Sequence, residues 1–342
     1  MTLTVASIAY PFAPVTADPA GGAEQVLAQL DRALVAAGHR SIVIAAAGSR
    51  IAGELVALPS TTGEIGEAER ARAHADVRAA LAAVLARGAV DLVHCHGIDF
   101  DAYLPPQDAA TLVTLHLPLD WYASGALAAR PRTWLLPVSR SQAERAAPGV
   151  RLLPPIGNGV DTEAYRPVAA KGRFALVLGR IAPEKGFADA IEAARAAGVS
   201  LLAAGKLYPY PEHRAYFDAQ MMPRLDGRRR FVGPVEGEAK RRLLARARCL
   251  LVPSTAPETS SLVAMEALAS GTPVIAYRSG ALPTIVEDGV TGFVVEEIAG
   301  MADALRHIGV IDPAQCRRAA VERFSLGRTT RAYLDLYGQL AA

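Results

Sequence analysis

Cysteine is scarce in this chain of 342 residues: Cys95, Cys249 and Cys316, with no C-x-x-C spacing among them. That scarcity excludes a disulfide framework and a thiolate zinc site, and it points to a reducing compartment, the cytoplasm. Long apolar runs are missing, so no segment reads as a bilayer span. The start, MTLTVASIAYPF, lacks the charged head and extended apolar core of a signal peptide. Neither charge sign is in excess: 36 basic residues face 34 acidic ones, a net charge of +2, which removes the global argument for a nucleic-acid partner. Two nucleotide signatures are also absent. No G-x-G-x-x-G follows the first strand-like segment, which disfavours a dinucleotide oxidoreductase, and no G-x-x-x-x-G-K-[ST] occurs anywhere.

Hydrophobic residues are plentiful at 51%, with alanine dominant, and charged residues at 20% argue against disorder. The length suits two α/β domains better than one core. Strand-like and helix-like segments alternate almost throughout. Strands are expected at Leu3–Ala9, Ser41–Ala46, Ala89–Cys95, Leu112–Leu115 and Trp134–Val138, with helices at Ala23–Ala37 and Glu67–Arg87. A second series follows: strands Phe174–Leu178, Val199–Ala203, Phe231–Val232, Cys249–Val252 and Pro273–Ala276, with helices Lys185–Ala197, Glu238–Arg248 and Ser261–Ser270. Alternation of this kind makes mostly parallel sheets with helices on both faces. The stretch 154–171, rich in Pro, Gly and small residues, reads as the linker between two units.

Several local patterns carry chemistry. Gly21-Gly22 opens the first helix, either as a plain helix start or as backbone approaching a ligand. Asp99-Phe100-Asp101 is a D-x-D triplet without a supporting cluster, better read as loop than as a metal site. Leu178-Gly179-Arg180-Ile181-Ala182-Pro183-Glu184-Lys185-Gly186 puts two cations directly after a strand, where parallel sheets bind ligands, and both suit a diphosphate. The plainer reading is a surface loop in which Glu184 neutralises one cation. In Pro253–Ala276, Glu258 precedes a helix and Glu266 lies within it, among apolar neighbours. Burial of Glu266 then requires a hydroxyl or cation partner. Ser260 and Ser261 are placed to cap that helix. A locally basic stretch runs from Arg224 to Arg248; it is either a solvated helix face or a peripheral contact with an anionic membrane surface.

The order and spacing of these patterns resemble glycosyltransferase family 4 over nearly the whole chain. The resemblance rests on R-x(4)-K at Arg180 and Lys185, E-x(7)-E at Glu258 and Glu266 ending in EALASGTPVIA, Asn158-Gly159-Val160-Asp161, Gly21-Gly22, Thr114-Leu115-His116, and Gly289-x-Thr291-Gly292-Phe293. It implies a GT-B fold, two Rossmann-like domains with the active site in the cleft between them: 1–160 on the acceptor side, 161–325 for the nucleotide sugar, and a helix at 326–342 crossing back. It implies a retaining hexosyltransferase that needs no metal and no cofactor, with UDP-glucose as the default donor. Arg180 and Lys185 would bind the diphosphate and Glu266 the ribose. Glu258 would face the sugar hydroxyls, near backbone N–H groups from Ser260, Ser261 and Leu262. Gly233 and Val235 would lie beside the base, Gly21 and Gly22 near phosphate and sugar, and His116 near the reacting centre. One departure stands out: the family's E-x-F-G is Glu258-Thr259-Ser260-Ser261 here, with serine in place of glycine. The acceptor, a small molecule, glycan or lipid-linked sugar, would meet loops 11–22 and 117–130, which carry or adjoin Tyr10, Phe12, Trp121 and Tyr122. The oligomeric state is not legible. Competing readings are another GT-B enzyme, such as a nucleotide-sugar epimerase, and a catalytically silent nucleotide-sugar-binding protein.

Overall fold

Two parallel sheets of six strands carry the chain. The computed structural model describes residues 2–16, 21–60 and 65–341. The first sheet holds β1 (Thr4–Ile8), β2 (Arg40–Ala46), β3 (Glu54–Leu58), β4 (Leu92–Cys95), β5 (Thr111–Leu115) and β6 (Thr133–Pro137), in the order β3-β2-β1-β4-β5-β6. The second holds β7 (Phe174–Leu178), β8 (Ser200–Ala204), β9 (Arg229–Phe231), β10 (Cys249–Val252), β11 (Val274–Tyr277) and β12 (Gly292–Val295), in the order β12-β11-β10-β7-β8-β9. Counted from its own first strand, each sheet has the doubly wound order of a Rossmann fold. The order reverses beside β1 and β4 in one sheet and beside β7 and β10 in the other. Ligands of such sheets bind at that reversal, outside the carboxyl ends of the strands.

Central strands are buried on both faces; those of the second sheet, Cys249–Val252 and Val274–Tyr277, are accordingly continuous apolar runs, while β4 and β5 of the first also bury His94, Thr111 and Thr114. The helices are α1 (Gly22–Ala36), α2 (Glu67–Ala86), α3 (Arg140–Ala143), α4 (Phe187–Ala196), α5 (Pro211–Tyr216), α6 (Gly237–Arg246), α7 (Leu262–Ala269), α8 (Leu282–Ile285), α9 (Ile298–His307), α10 (Pro313–Phe324) and α11 (Leu326–Leu340). Helix α2 buries Val77, Leu81 and Val84 in a core shared with Phe100 and Tyr103, while Leu27 and Ala28 of α1 join Val43 and Ala45 in a second cluster. Gly38, at φ +78°, ends α1, and its N–H donates to Val35 O. Cys95, Cys249 and Cys316 are all buried; desolvation pushes each thiol up to about 12, so they behave as small apolar residues.

Two strands escape the sequence reading, β3 and β12. Both are sheet edges, only half-buried, so their apolar signal is weak. The third departure is β9, which begins at two arginines rather than at Phe231. The chain divides into two compact units, Met1–Gly157 with Thr329–Ala342, and Asn158–Arg328. Nearly all of α11 therefore belongs to the first unit, where it buries Tyr333 and Tyr337.

Candidate active site

In the second unit, three loops at the carboxyl ends of β7, β10 and β11 converge on Glu258. Lys185 Nζ donates to Glu258 Oε1 at 2.5 Å, and Ser254 Oγ donates to the same oxygen at 2.5 Å. The Thr255 N–H donates to Glu184 O (2.9 Å), tying the loop after β10 to the loop after β7. The Ala281 N–H donates to Glu258 O (2.7 Å), and Ser279 Oγ to Ala256 O (2.7 Å). Two glycines permit this crowding. Gly186 has φ +64°, and a Cβ there would fall 2.0 Å from Pro253 O; Gly280 has φ +55° and lies against the Glu258 backbone. Arg180 pairs with Glu184 at 2.6 Å, so the loop neutralises one cation internally, as its sequence suggests. Arg180 Nε, buried, makes no hydrogen bond among the described residues, which leaves the guanidinium donor capacity for an anion.

Helix α7 starts beside this cluster in sequence, with Ser261 at its N-cap. Neither serine behaves as expected there. The Ser261 side chain makes no capping bond, and Ser260 Oγ is buried without a hydrogen-bond partner among the described residues. Inside the helix, Glu266 is fully buried. Tyr165 donates to Glu266 Oε1 at 2.9 Å and Lys240 Nζ to the same atom at 2.8 Å, the hydroxyl and cation that a carboxylate among apolar neighbours requires. The ion pair explains why a basic helix, α6, lies next to an apolar one. Arg224, Arg229 and Arg242 of the basic stretch are likewise paired with Glu192, Asp226 and Glu238. On the far side of β7, the Gly205 N–H donates to Gly233 O (2.9 Å), which joins the loop after β8 to Phe231–Val235. That loop carries Tyr208 and Tyr210, and His213 lies buried at the start of α5. Burial, then the nearby Arg180 charge, lowers the His213 pKa.

In the first unit, Gly21 has a local explanation. A Cβ there would fall on the Glu24 carboxylate, which folds back over the start of α1. Residues 17–20 of the loop 11–22 lie outside the described residues. His116, one residue past β5, is partly buried and lies in a line of three imidazoles. His116 Nε2 is 3.0 Å from His96 Nδ1, and His96 Nε2 is 3.1 Å from His94 Nδ1. The line ends on Tyr337 OH, 2.8 Å from His94 Nδ1, and on Thr114 Oγ1, 2.8 Å from His94 Nε2. Desolvation lowers His94 and His96 well below the ordinary histidine range and His116 to about 4. Of these three histidines, the sequence patterns point to His116 alone. The H-x-H of Val93-His94-Cys95-His96 was visible, but its partners on α11 lie more than 200 residues away.

In the D-x-D triplet, Asp99 is held by neighbouring side chains. Asp99 binds His74 Nε2 (2.7 Å) through one oxygen and accepts from Tyr103 OH (2.8 Å) on the other. No cluster of three or more metal-ligating side chains occurs among the described residues. The acceptor-loop aromatics divide: Trp121 is 40% exposed, whereas Tyr122 is core, its hydroxyl accepting from the Leu117 N–H. Tyr10 and Phe12 pack edge to face.

Two family models match in tandem. Residues 20–164 match Glycosyltransferase Family 4, and residues 172–309 match Glycosyl transferases group 1. The chain belongs to glycosyltransferase family 4. A D-inositol 3-phosphate glycosyltransferase from Saccharomonospora viridis is 32% identical over 227 residues, covering 58% of this chain and 52% of that protein. This family 4 chain thus spans about half the length of the curated relatives it matches. Its fold is GT-B. AviGT4, a glycosyltransferase involved in avilamycin A biosynthesis, is 27% identical with a TM-score of 0.74, covering 99% of this chain and 98% of that one. Sucrose-phosphate synthase from Thermosynechococcus elongatus shares the fold at 21% identity and a TM-score of 0.80, with 99% of each chain covered. No helix among the described residues is long and apolar enough to cross a membrane.

Proposed function

We propose that this chain is a retaining, metal-independent hexosyltransferase that takes its sugar from a nucleotide-diphosphate donor. One observation carries the reading. Arg180 and Lys185 stand on the loop after β7, tied by hydrogen bonds to the loop after β10, where the strand order of the second sheet reverses. Two buried polar atoms without hydrogen bonds among the described residues, Arg180 Nε and Ser260 Oγ, belong to these same loops and supply further donors for an anion.

The chemistry is leaving-group stabilisation. As the bond from the anomeric carbon to the phosphate oxygen breaks, negative charge grows on the diphosphate. Arg180, Lys185 and the uncapped N–H groups at the start of α7 meet that charge without reorganising. To do so, Arg180 exchanges Glu184 for phosphate and Lys185 exchanges Glu258. The released Glu258 carboxylate then accepts from the sugar hydroxyls. Val235 and Gly233 flank the base. A ribose contact by Glu266 requires its Tyr165–Lys240 clamp to open. With no protein nucleophile assigned, the acceptor oxygen attacks the face the diphosphate leaves, through a short-lived oxocarbenium-like ion pair, and a phosphate oxygen takes the acceptor proton. UDP-glucose is the first donor to try, and the acceptor is a hydroxyl of a small molecule, a glycan or a lipid-linked sugar.

The test has two parts. A thermal-shift panel of UDP-, GDP- and ADP-sugars identifies the donor by the size of the rise in midpoint. Arg180→Ala and Lys185→Ala are then each expected to cut turnover about 10²–10³-fold at saturating donor with the fold intact. Near-wild-type turnover in both variants, or an inverted linkage seen by NMR of the product, refutes the proposal.

A further inference from the structure

The loop after β8 borders the diphosphate loop, because β7 and β8 are neighbours in the second sheet. The two loops run on together past the strand ends. The Gly179 N–H donates to Ala204 O (3.2 Å), the Ile181 N–H donates to Lys206 O (3.0 Å), and Ile181 bridges Leu207. Gly205 permits the approach, since a Cβ there would collide with Gly179 O. The chain then passes through Tyr208 and Tyr210 into α5, which packs against the turn Pro183–Lys185 of the diphosphate loop. His213, in α5, is thus brought within reach of the Arg180 and Glu184 charges. The residue is only 6% exposed, yet its Nδ1 makes no hydrogen bond among the described residues. Its ring packs edge to face on Tyr210, with centroids 5.1 Å apart, which restrains its orientation. A buried nitrogen without a partner is costly, and folded proteins keep few of them. Arg180 Nε is the second such nitrogen on these two loops, and the two are not bonded to each other. Arg180 Nε–H only donates, and a neutral imidazole can carry its proton on Nδ1. Burial and the Arg180 charge keep the ring neutral, so it adds a donor beside the guanidinium without a second positive charge. Two N–H donors, one of them cationic, suit an oxyanion of phosphate type.

We infer that His213 is an anion-binding residue of the second unit, which donates from Nδ1 to a phosphate oxygen that Arg180 also holds. The diphosphate then spans the loops after β7 and β8. That this anion belongs to a sugar donor rests on the transferase reading; the anion site itself does not.

Inorganic pyrophosphate is the probe, because it carries the anion without base or sugar. Calorimetric titration of the full chain should show Kd raised about tenfold or more in His213→Leu, with His213→Asn, whose amide N–H takes the place of Nδ1–H, within about threefold of wild type. Nitrogen-15 NMR of the histidine-labelled chain saturated with pyrophosphate should show His213 protonated at Nδ1. A Kd for His213→Leu within about twofold of wild type overturns the inference, and so does a bare Nδ1 in the complex. Should His213→Leu fail to fold, His213→Asn is compared with His213→Gln, whose amide reaches the Nε2 position instead; equal affinities for the two overturn the inference. Weakened binding in Arg180→Ala but not in His213→Leu removes His213 and leaves the transferase reading in place. The expected pyrophosphate results in a protein that turns over no nucleotide sugar would sink the transferase reading and leave the anion site standing.

Discussion

Gly186 is where the diphosphate loop and the loop after β10 come closest, and replacing it by alanine should damage both stability and turnover. Its φ is +64°, and the added methyl would lie 2.0 Å from Pro253 O and 3.0 Å from Pro253 C. Real Cβ atoms essentially never come within 3.0 Å of such an atom, so the Pro253 backbone must retreat by about 1 Å. The left-handed backbone costs an alanine about 1–2 kcal/mol, and the overpacking about 1–3 kcal/mol more. Gly198→Ala separates the two terms. Its φ is +70°, but a Cβ there meets nothing within 4 Å, so only the backbone cost applies. Because Pro253 leads directly to Ser254 and Glu258, a 1 Å shift also displaces the partner of Lys185, and a misplacement of that size costs about 10²-fold in rate. Urea unfolding and kcat/KM of the two variants, measured side by side, provide the assay. Equal destabilisation of both, with turnover intact in Gly186→Ala, refutes the claim that the two loops are held together at this point.

Other consequences are open to measurement. The lowered pKa values of His94, His96 and His116 mean that the unfolded chain binds protons more readily than the folded one below the ordinary histidine value. Stability from these groups is therefore fully present above about pH 6.5 and is lost as pH falls below it; for His116 the loss runs down to about pH 4. A urea midpoint that does not move between pH 7 and 5 contradicts this. Glu266→Gln removes the charge that Lys240 and Tyr165 hold and should cost about 2 kcal/mol or more in unfolding free energy; a rise in donor KM at unchanged stability would instead assign Glu266 to the ribose. Asp99→Asn should lower stability through His74 and Tyr103, and treatment with EDTA should leave turnover of wild type unchanged. Loss of activity on chelation, restored by a divalent cation, contradicts metal independence.

How much of this was legible in the sequence depended on burial. Central strands such as Cys249–Val252 declare themselves because both faces must be apolar, whereas the edge strands Glu54–Leu58 and Gly292–Val295 are half-solvated and carry no clear pattern. Burial of Glu266 was legible from its neighbours, Ala264, Met265, Ala267 and Leu268, all of which are buried. Its partners were not, because Tyr165 and Lys240 reach it from other parts of the chain. Local propensity also misleads at the start of α7: two serines in the right place suggest side-chain caps, yet Ser261 makes no capping bond and Ser260 Oγ has no hydrogen-bond partner among the described residues. The imidazole line was the least accessible feature. Its histidines are visible on β4 and after β5, but only the packing of α11 against that sheet brings Tyr337 to His94 and gives the line an end.

The most direct measurement is a crystal structure of the protein with the nucleoside diphosphate that the thermal-shift panel selects. Pyrophosphate oxygens are expected within hydrogen-bond distance of both Arg180 and Lys185, with the Lys185–Glu258 pair opened. A diphosphate bound elsewhere, with that pair still closed, contradicts it.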